Sequence, residues 1–135
     1  MAFAAKGEQV ALNSFTGAAS PLASMYLALC SDSNGTEIDA ENGYTRAEVP
    51  CDSDTWNTAT GSNPASITNK VDLAFDVSTG AWNGGEAIEY AALYDSGTPG
   101  EGNLLCVIPL DVPVTVSASG QTVKFLAGDL TLTAT

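Results

Sequence analysis

Histidine is absent from all 135 residues. That absence removes the commonest general base, the Ser-His and Cys-His nucleophile pairs and nearly all zinc constellations. Positive charge is almost as scarce: Lys6, Arg46, Lys70 and Lys124 stand against 16 acidic residues, for a net charge of −12. A surface of that sign repels phosphate backbones and anionic lipid, so neither nucleic acid nor a membrane is expected as a partner. No apolar run approaches the ~20 residues that a bilayer span requires. The opening MAFAAKGEQ lacks a basic stretch followed by an apolar one, so no signal peptide and no export are expected. Cysteine is sparse as well. Without export, Cys30 and Cys106, both inside strand-like runs, read as reduced, buried small hydrophobes. Cys51 differs, because Pro50-Cys51-Asp52-Ser53-Asp54 reads as an exposed turn, and it is the candidate for an intermolecular disulfide formed after lysis.

What is present fits a folded β protein. Hydrophobic content of 44% against 15% charged is a globular balance, and 135 residues suit one domain that folds without a cofactor. The most informative stretch runs from Trp82 to Leu132. Ile88, Tyr90, Ala92 and Tyr94 alternate with Ala87, Glu89, Ala91 and Leu93, the two-residue period of a strand. Asp95 to Asn103 is rich in Gly, Pro and Ser and must turn. Leu104 to Ile108 follows as an apolar run, predicting an antiparallel hairpin with the strand before it. Further strands are expected at Thr122 to Leu126 and Leu130 to Thr133, making the C-terminal half one sheet layer that needs a second layer on its apolar face.

Earlier in the chain, Lys6 to Phe15 is compatible with a short helix, and Pro21 forbids its continuation. Met25 to Cys30 carries apolar residues on both faces, which places that strand centrally. Ser31 to Gly43 reads as an acidic loop, and Tyr44 to Val49 as a strand that Pro50 ends. Cys51 to Thr68 is a polar excursion that packs through Trp56, with pieces of edge strand. Lys70 to Val77 alternates cleanly, predicting a half-buried strand with Val71, Leu73, Phe75 and Val77 inside. Trp82 is placed to close one end of the core.

Chemistry is hard to find. Asp52 with Asp54, or Glu37 with Asp39, would be the carboxylate pairs for glycosidase-type acid and base work, but a spacing of two along a loop has little specificity. Asp32-Ser33-Asn34-Gly35-Thr36-Glu37 offers oxygen donors around a glycine without the twelve-position calcium loop, and a tight turn selects the same residues. Gly84-Gly85, Gly120 and Gly128 are not followed by the Lys-Ser/Thr of a phosphate loop. Most tyrosines fall on strand faces predicted to be inside, leaving Trp56 as the aromatic that could serve a glycan platform. No catalytic residue, metal or cofactor is expected.

The order of segments carries a resemblance. Leu12 to Gly17, Tyr26 to Asp32, Glu37 with Asn42 to Val49, Ala81 to Asn83, Glu89 to Asp95, Gly102 to Leu105 and Ala127 to Leu132 together resemble a family of small bacteriophage tail-fibre proteins. The resemblance spans nearly the whole chain and implies a virion structural component without enzymatic activity. The expectation is therefore an all-β, antiparallel β-sandwich over residues 1–135 with a short N-terminal helix, residues 1–15 forming an arm. It would assemble as a homo-oligomer with copies of itself and with capsid, neck or tail proteins of the virion, as tail fibre, neck or collar component or capsid decoration. A glycan- or receptor-binding adhesin is the alternative. The candidate interface residues are Phe3, Val10 and Phe15 of the arm together with Trp56.

Overall fold

Ser24–Cys30 (β1) is a strand because Tyr26, Leu27 and Leu29 favour the pleated surface and both faces have something apolar to meet. It sits inside a four-stranded antiparallel sheet of order β2-β1-β5-β6, where β2 is Ala47–Pro50, β5 is Ile88–Tyr94 and β6 is Leu104–Val114. The computed structural model describes residues 4–7, 9, 22–62 and 64–134. Register pairs Leu27 with Ala47 and Leu93, Leu29 with Ala91, Leu93 with Cys106 and Ala91 with Ile108. These residues share one face and join the main core. The opposite face carries Tyr26, Ala28, Cys30, Ala92 and Tyr94, and Ala28, Cys30 and Ala92 are fully buried there.

The second layer consists of two separate ribbons. β3 (Ala65–Thr68) pairs with β8 (Thr131–Ala134), and β4 (Leu73–Ala74) pairs with β7 (Lys124–Phe125). Leu73, Phe75, Phe125, Leu130 and Leu132 descend from these ribbons and their flanks onto the sheet. Tyr44, Phe75, Phe125 and Trp82 close one end. Trp82 lies edge-on to Tyr44 at 5.3 Å and to Phe75 at 6.3 Å, the arrangement that ring quadrupoles favour. Its indole N–H donates to the Asn42 carbonyl at 2.9 Å, so a fully buried tryptophan keeps its hydrogen bond.

Several expectations are corrected. The C-terminal half is not one layer: β7 and β8 leave β5 and β6 to pair with β4 and β3, while β1 takes the central place beside β5. Phe125, Leu130 and Leu132 need the far side of the core, which a strand added beside β6 could not reach. Lys70 to Val77 is a strand only at Leu73–Ala74. Leu73 and Phe75 are buried, whereas Val71 is 43% and Val77 55% exposed. The reason is that hydrogen bonds at Asn69 and Ser78 draw the backbone into turns at both ends. Tyr44 to Arg46 is likewise not strand, because those side chains are committed to a polar cluster beside β1. β6 runs past Ile108 through Pro109 and Pro113, tolerated because it is the outer strand of its sheet and one side needs no donors.

Other expectations hold. The β5–β6 hairpin, the central β1, the closing role of Trp82 and an edge strand within the polar excursion are all present. Residues 5–7 and 9 carry helical backbone, and the remainder of the Lys6 to Phe15 helix lies outside the described residues. This N-terminal piece rests on the chain's own β6: Ala4 N–H donates to the Leu105 carbonyl at 2.7 Å. Gly7 abuts the same carbonyl so closely that a Cβ there would lie 2.3 Å from its oxygen.

The ribbons are held by a buried asparagine. Asn69, fully excluded from solvent, donates from Nδ2 to the carbonyls of Val71 and Leu126, each at 2.9 Å. Its Oδ1 accepts from Gly128 N–H at 3.1 Å and Leu130 N–H at 2.9 Å. All of its amide hydrogens and both lone pairs are used, and the turn before β4 is fastened to the turn between β7 and β8. Substituting Asn69→Ala removes four hydrogen bonds and leaves the Val71 carbonyl and the Leu130 N–H without their partner, whereas Gly128 N–H keeps the residue 69 carbonyl and the Leu126 carbonyl keeps Asp129 N–H. It should cost about 3 kcal/mol of unfolding free energy. Equilibrium denaturation measures this, and a loss within the range of a surface substitution would contradict the role assigned to Asn69.

Candidate interaction surfaces

The densest polar cluster begins with two residues that the sequence alone does not join. Glu37 leaves the loop after β1, making a bridge to Cys30, and Arg46 stands immediately before β2. Arg46 Nη2 reaches Glu37 Oε1 at 2.7 Å and Nε reaches Oε2 at 2.9 Å, a bidentate pair with side chains 0% and 8% exposed. Tyr44 donates its hydroxyl to Glu37 Oε2 at 2.6 Å while accepting from Leu29 N–H, so it closes the edge of β1 where β2 has diverged. Arg46 Nη1 donates to the carbonyls of Ser96 and Glu101, and Gly100 N–H donates to Glu37 Oε1. The guanidinium lies 3.8 Å from the centre of the Tyr94 ring, whose hydroxyl donates to the Gly35 carbonyl.

The electrostatics follow from this geometry. Burial by itself pushes the Glu37 carboxyl up, but hydrogen bonds from Arg46, Tyr44 and Gly100 and the Arg46 charge outweigh it and hold Glu37 below the usual carboxylate range. Burial similarly opposes the Arg46 charge, and Glu37 more than offsets it, raising Arg46 further. Burial first, then the negative charges of Glu37 and Asp32, push the Cys30 thiol up to about 12, and burial raises Cys106 to about 11. Both thiols are inert packing groups at neutral pH.

The carboxylates proposed for chemistry are engaged elsewhere. Glu37 is held by Arg46 rather than paired with Asp39. Asp52 Oδ1 accepts from the amides of Asp54 and Thr55, and Asp32 Oδ1 from those of Asn34 and Thr36, so both cap turns.

Trp56 and Cys51 come together. They border a shallow depression of about 390 Å³ whose apolar walls are Met25, Ile67 and Leu132. Trp56 is only 8% exposed and belongs to the core, so it presents no open glycan platform. Its indole N–H is buried and, among the described residues, meets no hydrogen-bond partner. Cys51 is exposed at the rim, its amide held by the Ala23 carbonyl. Phe3, Val10 and Phe15 lie outside the described residues.

A surface the sequence reading missed lies beyond Ile108. The second half of β6 faces Lys124, Phe125, Asp129 and Thr131 across an open groove of about 740 Å³. Register explains the opening: Tyr90 pairs with Pro109 and Ile88 with Val114, so residues 110–113 bow away from β5. Val112, 77% exposed, stands on this bow. The pair Leu110 and Val112 was the available signal, obscured by the flanking prolines.

Glu37 also sets an acid response. Its folded value is depressed, so the stability it contributes is fully present above its unfolded value and is lost as pH falls through the lower folded one. Glu37→Gln should cost about 3 kcal/mol near neutrality and shallow the decline in stability toward acid. Denaturation midpoints at pH ~7 and ~3 test this. A variant that loses as much stability with acid as the parent would contradict it.

No individual curated protein matches the chain. Residues 3–133 match the family described as Podophage GP4 fiber I protein gp80, a match that covers the strands up to the last residue of β8, the Arg46–Glu37 cluster and both surface depressions. The antiparallel β architecture, the turn-capping use of the acidic residues and this match agree, and the chain belongs to that family of phage fibre proteins.

Proposed function

We propose that the protein is a non-enzymatic structural component of the virion that assembles as a homo-oligomer and docks on other particle proteins, as tail fibre, neck or collar element or capsid decoration. The observation that carries this reading is the groove beside β6. It exposes Val112 opposite Lys124 in a chain with a net charge of −12. Val112, flanked along the outer strand by half-buried Leu110 and Val114, favours association there, and Lys124 offers an acidic neighbour a favourable contact where most of the surface repels it. Among the described residues Lys124 makes no ion pair within its own chain. Pro109 and Pro113 remove backbone donors from the outer strand, so the contact would be made by side chains rather than by extending the sheet. A two-fold arrangement suits such a patch, since Lys124 of one copy could face Asp111 of the next.

Two expectations enter this reading as secondary contacts. The arm residues Phe3, Val10 and Phe15 would extend the interface, and exposed Cys51 would link copies after lysis, beside the depression walled by Trp56. Sedimentation velocity should show a defined oligomer that Val112→Asp weakens at least about tenfold. A monomeric parent at concentrations well above micromolar would refute self-assembly. Non-reducing electrophoresis of intact particles should show linked copies that collapse with reductant and are missing in Cys51→Ser; a pattern unchanged by that substitution would eliminate Cys51.

A further inference from the structure

We propose that β8 is the pairing edge of the homo-oligomer: the backbones of Thr131 and Thr133 hydrogen-bond to Thr133 and Thr131 of a second copy, antiparallel about a two-fold axis at Leu132. The two β3–β8 ribbons then form one continuous sheet. This inference rests on the self-assembly reading above and names the strand that carries it.

The direction of the backbone along β3 fixes which side of β8 is free. Ser66 and Thr60 exchange N–H to carbonyl bonds in both directions, each at 2.8 Å. The Thr68 carbonyl accepts from Asn57 N–H at 3.0 Å, so Thr68 faces the same way. Successive residues of a strand turn their N–H and C=O to opposite sides, so Ser66 and Thr68 turn away from β8 and Ile67 turns toward it. Their register partners are Thr133, Thr131 and Leu132 respectively. Leu132 therefore bonds to Ile67 within the chain. Asn69, two residues beyond Ile67, keeps the same phase, its N–H donating to the Leu130 carbonyl at 3.3 Å. Thr131 and Thr133 are left pointing their N–H and C=O away from β3.

What they point toward is the groove beside β6. Both line it, with Pro109 and Pro113 on the opposite wall. Thr131 is exposed and Thr133 half-buried, and among the described residues no turn, loop or side-chain hydrogen bond reaches their backbone groups. Donors and acceptors repeated at alternate residues of an open edge are a template for one more strand. On the β6 wall the prolines leave contact to side chains, so extension belongs to the ribbon wall alone.

The occupant follows from β8 itself. Antiparallel pairing about Leu132 sets Thr131 of each copy against Thr133 of the other, and both residues have outward groups, so every N–H in the pair meets a carbonyl. The threonine side chains, on the face opposite buried Leu132, then stand beside one another across the junction, a favourable cross-strand pair. Charge selects the same strand. Leu130 to Thr135 carries no ionisable side chain in a chain with a net charge of −12, so two acidic copies meet there without setting carboxylate side chains face to face.

Sedimentation velocity of paired substitutions in the full chain tests the register. Thr131→Lys with Thr133→Lys places like charges opposite one another at the junction, yet it makes each copy less negative overall. Association should weaken about tenfold with that pair, whereas Thr131→Lys with Thr133→Glu sets opposite charges together and should stay within about threefold of the parent. An oligomer on which the two variants act alike, or which the lysine pair strengthens, would overturn the β8 junction while leaving self-assembly standing; a monomeric parent would overturn both. Should the lysine pair not fold, amide hydrogen exchange of the parent decides. The Thr131 and Thr133 amides should slow at least about tenfold as concentration rises through the association range, while the Leu132 amide, bonded inside the chain, is slow throughout. Exchange at Thr131 and Thr133 that does not depend on concentration would equally overturn the junction.

Discussion

The Arg46–Glu37 pair is the constraint on which the arrangement around β1 depends. Removing two charges from water is costly, and their mutual attraction offsets that only when the remaining donors and acceptors are also satisfied. Here they are: Glu37 accepts from Tyr44 and Gly100 besides Arg46, and Arg46 reaches two carbonyls and stacks on Tyr94. Arg46 is the one buried cation among the described residues, in a chain that has few cations to commit. Its value is organisational. Three segments that share no strand pairing, the loop after β1, the approach to β2 and the 95–103 loop, are made to meet at one point.

The same device recurs in neutral form. Asn69 fastens the two ribbons, and Ser78, also buried, donates to the Ala118 carbonyl and accepts from Gln121 N–H, holding the 117–121 turn. Asn42 presents its carbonyl to Trp82 and its side-chain amide to Ala81. With only two short ribbons opposite the four-stranded sheet, ladder hydrogen bonds cannot satisfy the connecting backbone. Buried polar side chains do so instead, each close to fully bonded, as an interior of low dielectric requires. The apolar core supplies most of the driving force, while these residues select one arrangement of the loops around it.

Local pattern made part of this legible. β1 is apolar on both faces and is central; β5 and β6 are joined by a Gly- and Pro-rich turn and pair as a hairpin. What local pattern does not carry is which layer a strand joins. Leu130 and Leu132 look the same whether they extend a sheet or cover it, and only the long-range bonds at Asn69 decide. Alternation at Val71, Leu73, Phe75 and Val77 is real, yet the ends are pulled outward by side-chain bonds to residues some forty or more positions away. Arg46 and Glu37 were visible as charges but not as a pair, since a nine-residue spacing across a loop has no periodic signature. The groove beside β6 was hidden because Pro109 and Pro113 suggest the end of a strand rather than its outer edge.

For a fibre protein, a body braced at one buried charge pair leaves the outer flanks free for association. The most direct test is a double-mutant cycle between Glu37→Gln and Arg46→Met, read as unfolding free energy. Coupling of about 3 kcal/mol or more, far above that of an exposed pair, is the predicted result. Coupling below about 1 kcal/mol, the range of solvent-exposed ion pairs, would contradict the account.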